Sequence, residues 1–170
     1  MSNTSRPCGF KPVGPILRVT PYRSAGAIYP GDPVKLDAGA ANSTDLQGRV
    51  AVAAAGNAIV GIAASYASAA GKEVLVYDHP DQRFEAECDA ADFDENADLN
   101  QTIDFVAASP DTTYKISRAV LDSDQVGTTT FPFRVAQFSR RTLNEVGNKT
   151  KLIVSINNHQ LKGGTGTATV

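Results

Sequence analysis

Tryptophan is absent from this chain, and methionine, cysteine and histidine are nearly so: one, two and two among 170 residues. Each scarcity excludes something. Zinc needs three or four convergent Cys, His or carboxylate ligands; His79 and His159 lie far apart, His159 has no cysteine close in sequence, and no such cluster is visible. Cys8 and Cys88 are also distant, which reads as two free thiols in a reducing compartment. A chain this long buries enough surface to need no disulfide or metal staple. Aromatics make up only 7% of the residues, a poor supply for the exposed rings that sugar binding favours. No apolar run approaches the roughly 18 residues of a membrane span. The start, MSNTSRPCGF, has no apolar h-region, so no secretory signal is expected. Basic excess is missing too: 16 Lys and Arg face 18 Asp and Glu, for a net charge of -2 and a pI near 5.6. General nucleic-acid binding needs a basic face, so no nucleic-acid partner is expected. The chain has no P-loop, no G-x-G-x-x-G after a strand and no G-x-S-x-G elbow.

What is present is a globular composition, 42% hydrophobic and 20% charged, in a length that suits one domain. No long segment has helical periodicity. Short alternating stretches between Gly, Pro and Asp loops predict an all-β fold, an antiparallel β-barrel or a jelly-roll-like sandwich. Residues 1–15 carry three prolines and two glycines and read as an extended N-terminal arm, lying on a neighbour or folded over its own barrel. Residues 16–161 form the β domain, and 162–170 a loose Gly/Thr tail.

The stretch Arg49 to Ser65 organises this reading. Gly56-Asn57 sits between two apolar arms, which predicts a II′ hairpin with Val50 and Val52 on one face and Val60 and Ile62 on another. The rival is an Ala-rich helix, opposed by Gly56 and Gly61 and by β-branched residues at period 2. A second hairpin is expected from Glu73–Asp78 and Gln82–Asp89 around His79-Pro80-Asp81. In its second arm Phe84, Ala86 and Cys88 face the core and Arg83, Glu85, Glu87 and Asp89 face water. Further strands are expected at Ile16–Ser24, ended by Pro21, at Val34–Leu36, Gln101–Ala108, Tyr114–Leu121 and Phe131–Arg140. Asp122–Thr130 reads as a turn. Lys151–Ile156 is apolar enough for a sheet centre. No internal repeat is visible.

Two stretches hold residues of the types that carry chemistry. His79 has Tyr77, Asp78 and Asp81 nearby, as a general base requires, but Asp and Pro are ordinary turn residues. Asp92, Asp94, Asn96, Asp98 and Asn100 copy the odd positions of an EF-hand loop. Ala97 stands where that loop needs Gly and Ile103 where it needs Glu, so a solvated acidic loop without metal is the reading. No catalytic residue, cofactor or metal is assigned.

Taken in order, GFKPVG (Gly9–Gly14), IYPGDPVKL (Ile28–Leu36), VAVAAAGNAIVGIAAS (Val50–Ser65), VLVYDHPDQRFEAECD (Val74–Asp89) and LIVSINNHQL (Leu152–Leu161) resemble the decoration, or cement, proteins of tailed-bacteriophage heads. The resemblance implies a small non-enzymatic β protein on the virion exterior, made in the host bacterial cytoplasm. It implies two partners: the major capsid protein and further copies of itself, as a dimer or trimer. It offers Phe10, Pro12 and Val13 of the arm as candidate partner or oligomer contacts. The other class considered is a small carbohydrate or cell-surface binding barrel of a phage particle.

Overall fold

The computed structural model describes residues 3–37, 48–89, 93–94, 98–127 and 130–162. These form eleven strands and no helix, so the fold is all-β. In chain order they are β1 (Lys11–Val13), β2 (Thr20–Ser24), β3 (Pro33–Leu36), β4 (Arg49–Val52), β5 (Gly61–Ala63), β6 (Glu73–Tyr77), β7 (Arg83–Glu87), β8 (Thr102–Val106), β9 (Val120–Gly127), β10 (Phe133–Phe138) and β11 (Lys151–Ile156). Strands β2-β4-β3-β5-β6 close into a barrel. The rest form a sheet in the order β1-β7-β11-β10-β8-β9. This sheet curls until its ends meet: Cys88, just past β7, makes a parallel bridge to Leu121 of β9, and the Asp89 amide donates to the Leu121 carbonyl at 2.8 Å.

Without β1 the second ring has the topology of the first. Matching β2 to β7, β3 to β8, β4 to β9, β5 to β10 and β6 to β11 reproduces every pairing and its direction, including the one parallel contact in each ring. Registers match as well. Thr20 faces Val76 as Phe84 faces Val154. Ser24 faces Val50 as Cys88 faces Leu121, and Leu36 faces Val50 as Phe105 faces Leu121. Val34 faces Gly61 as Ile103 faces Phe133, and Ala63 faces Val76 as Val135 faces Val154, which returns to the starting pair. The turn entering the second strand is shared too. Gly31 (φ 93) donates to Ala63 O at 2.9 Å, and Asn100 (φ 66) donates to Val135 O at 3.1 Å. The chain is therefore two tandem barrels of one topology, a repeat of backbone that the sequence hides.

This arrangement overturns both expected hairpins. β4 and β5 do not pair with each other; β3 lies between them. The Asn57 amide donates to Ala54 O across Gly56 (φ 75), so glycine takes the third position of a type II-like turn. Type II turns splay hairpin arms, and here the arms must part to flank β3. Val50 is buried but Val52 is exposed, and Val60 and Ile62 enter different cores. Likewise β6 belongs to the first barrel and β7 to the second, and residues 78–82 are the joint between them.

Three further expectations shift. Pro21 lies inside β2 instead of ending a strand; at that point β2 pairs only with β6, so the missing N–H is tolerated at an edge. Tyr114 and Lys115 sit in a turn closed by the Asp111–Ile116 bridge, with Lys115 at φ 56. β9 instead occupies Asp122 to Gly127, held by pairing to β8 despite its polar residues. β11 does lie inside the sheet, between β7 and β10.

The first barrel is filled mainly by valine and alanine, among them Val34, Val50, Val60, Val74 and Val76, with Tyr22 and Ile28 as its larger members. The second holds larger ones, with Phe84, Phe105, Phe133, Leu121 and Leu152. Ala53, Ile59 and Ile62 of the first barrel's chain join this larger core and cement the two. Gly61 is required by space: a Cβ there would lie 2.2 Å from the Tyr77 carbonyl oxygen.

Candidate functional site

The N-terminal stretch was the sequence's main contact candidate. Phe10 is 2% exposed, stacked on Phe133 with centroids 4.4 Å apart, and is a core residue of its own chain. Its side chain is therefore not open to another subunit, while Pro12 and Val13 are half-buried in β1, which pairs with β7. The stretch folds over its own sheet, one of the two placements that its composition allows. Upstream, the Asn3 side chain donates to Glu145 O and Asn148 O, and Ser5 Oγ and the Arg6 amide donate to Glu87. Glu85 accepts from Ser139 Oγ at 2.6 Å and Arg141 Nε at 2.7 Å. Glu85 and Glu87, expected to face water, are thus covered and satisfied; long-range contacts reverse what β7's alternation alone implies.

Cross-strand partners share a face. The outer face of β1-β7-β11-β10 therefore gathers Lys11, Arg83, Lys151 and Arg134, since Lys11 pairs Glu85, Arg83 pairs Ser155, Lys151 pairs Glu87 and Arg134 pairs Ser155. Lys11, Arg83 and Arg134 are exposed, and the two carboxylates among them are buried. Ile153 forms an apolar floor, and a cleft of about 330 Å³ opens beside it, bordered by Val13, Leu17, Gln82 and Gln137. Gln82 shapes one wall: its side chain accepts from the Leu17 amide at 3.0 Å. Next to the cleft Ile16, Leu17 and Val19 stand 50%, 47% and 39% exposed.

The opposite flank is acidic. Asp104 of β8 faces Asp122 of β9 directly, at a register shift. Asp89, Asp122 and Asp124 bring carboxylate oxygens within 4.8 Å of one another. Burial raises the Asp122 pKa, and Asp89, Asp124 and Asp104 push it further. Ser123 Oγ donates to Asp89 at 2.6 Å. Of the EF-hand-like stretch, Asp92 and Asn96 lie outside the described residues. Asp98 spends a carboxylate oxygen on the Asp94 amide at 2.8 Å, a local turn.

The histidines part company. His79 Nδ1 accepts from the Asp81 amide, a turn contact, while Asp78 points elsewhere. Asp78 accepts from Arg18 Nε at 2.7 Å and Tyr22 OH at 3.0 Å. Burial opposes its charge, but the hydrogen bonds from Arg18, Thr20 and Tyr22 hold its pKa below the ordinary carboxylate range. His159 Nδ1 accepts from the Leu161 amide, so Nε2 carries the proton and donates to Asp78 O at 3.0 Å. Burial lowers the His159 pKa, partly countered by Asp78. This cluster ties the joint of the first barrel to the strand end of the second. Sequence reading missed it because Arg18 and Tyr22 reach Asp78 only through the β2–β6 pairing, and His159 only when the second barrel packs on the first.

Comparison of the chain with family models, with curated proteins and with solved structures gives no match.

Proposed function

We propose that this chain is a structural virion protein that binds the outer surface of a tailed-phage capsid as a homo-oligomer and stabilises the shell of major capsid protein. The resemblance in the order of its segments motivates the reading. The observation that carries it is the exposed apolar run Ile16, Leu17 and Val19 beside the open cleft. Large apolar side chains clustered at the surface mark protein interaction sites. A shell repeats one surface many times, so modest contacts gain by effective concentration.

The test is co-sedimentation with empty heads assembled from the major capsid protein of the same phage. Wild-type protein pellets with the heads. The triple variant Ile16→Ser, Leu17→Ser, Val19→Ser keeps its fold, because these side chains are exposed, and loses most of its binding. Binding equal to wild type refutes the assignment of this strip; no binding by the wild type refutes the function.

A further inference from the structure

Two outer faces of the second barrel carry opposite charge and point away from one another. The ring order β7-β11-β10-β8-β9 sets β11 across the barrel from the β8–β9 pair. On the β11 side Arg83 and Arg134, both exposed, flank Ser155 of β11, and Lys11 lies beyond β7 on the same outer surface, opposite Glu85, whose other partner is Ile153. On the far side Asp89, Asp122 and Asp124 crowd together, with Asp124 exposed and the other two half-buried. The chain as a whole is only two charges from neutral, so this separation is an arrangement of charge and not an excess. It is also confined to one barrel. At the first barrel's equivalent positions Asp122 is matched by Ala51, Asp104 by Lys35 and Arg134 by Ile62.

We infer that the basic outer face of β1-β7-β11-β10 docks on the acidic flank of β8–β9 of a second copy of this chain. The inference names the self-contact within the homo-oligomer reading above and rests on it. Lysine and arginine from one copy would enter the carboxylate cluster of the next, relieving a repulsion that the single chain carries. Contact between two different faces is heterologous, so the copies join head-to-tail, as a ring where the rotation between them closes and as an open filament where it does not. Complementary potentials also speed encounter and suppress wrong partners. Acidic host proteins and the shell itself are the competing occupants.

The experiment is sedimentation velocity at low and high salt on four full-length proteins. These are wild type, Arg83→Glu with Arg134→Glu, Asp122→Lys with Asp124→Lys, and an equimolar mixture of the two variants. Wild type associates at low salt and dissociates as salt rises, because charges beyond about 8–10 Å are screened. Each reversed variant associates at least about tenfold more weakly, and the mixture forms hetero-complexes. Arg83→Gln with Arg134→Gln, a milder change, covers the case in which reversal disturbs folding; it also weakens association. Wild type that is monomeric at low salt, or reversed variants that associate as wild type does, overturn the inference. Head binding is scored separately. Monomeric protein that still pellets with heads sinks this contact and leaves the decoration reading standing; charge-swapped assembly without head binding does the reverse.

Discussion

Replacing Phe10 with alanine tests whether the N-terminal stretch is core or arm. The ring is 2% exposed, stacks on Phe133 at 4.4 Å and 14°, and meets Phe105 edge-on at 6.3 Å. Phe→Ala in a core costs about 3–5 kcal/mol, transfer and cavity together. Two aromatic partners are lost here, each worth roughly 0.5–1.5 kcal/mol beyond area, which places Phe10→Ala at the upper end. For a chain of this length each kcal/mol moves the melting temperature by about 2–4 °C, so the drop is roughly 10 °C or more. Differential scanning calorimetry reads it directly. Lys11→Ala, one residue on and exposed, is the control and stays within about 0.5 kcal/mol of wild type. A Phe10→Ala melting point within about 2 °C of wild type returns Phe10 to the surface and refutes the packing argument. The same geometry condemns a truncation up to Pro12 as a clean binding assay, because it removes a core side chain along with any contact.

Gly61→Ala places a Cβ 2.2 Å from the Tyr77 carbonyl and 2.8 Å from Val76 Cγ1. The neighbouring strand must move, at a cost of about 3 kcal/mol or more in urea denaturation; a loss under about 1 kcal/mol speaks against so close an approach of β5 and β6. His159 makes stability pH-dependent. Its pKa in the fold lies below the ordinary 6.5, so the folded state holds fewer protons than the unfolded one as pH falls past 6.5. The His159 contribution is therefore full above that pH and declines below it, with Asp78 adding a further loss only below the ordinary carboxylate range and Asp122, whose pKa is raised, acting in the opposite sense. From pH 7 to pH 5 the urea midpoint of wild type falls relative to that of His159→Gln; equal pH dependence of the two shows that His159 is not the group responsible.

Strand positions were largely legible and strand partners were not. Alternation located β6, β7 and β11 almost to the residue, because inward side chains such as Val74, Val76, Leu152 and Val154 must be apolar whatever they pair with. Pairing was inferred from turn chemistry, which is local. Gly56-Asn57 and His79-Pro80-Asp81 are real turns, yet each carries the chain to a strand other than the nearest one. The polar face of β7 misled for a similar reason: Ser5, Arg6, Ser139 and Arg141, distant in sequence, cover its carboxylates. The exposed run at Ile16 to Val19 read as strand because it alternates, and nothing local reveals that no described strand pairs with it.

The hidden repeat has a physical cause. A closed ring of fixed register dictates which positions point inward; it does not dictate their size. Val34 and Ile103, Val50 and Leu121, and Leu36 and Phe105 occupy equivalent inward sites and agree only in being apolar. The larger member falls in the second barrel each time, so the two cores solve the same filling problem with different volumes. Gly61 and Phe133 are the extreme case: where one barrel brings a carbonyl against the site, the other inserts the ring on which Phe10 stacks. Outward sites diverge by what covers them. Ile62 is fully buried against the second barrel's core, and its counterpart Arg134 is exposed and charged. Tandem packing makes one flank of the repeat a core and leaves the other as surface, and on that surface the second barrel carries its charge.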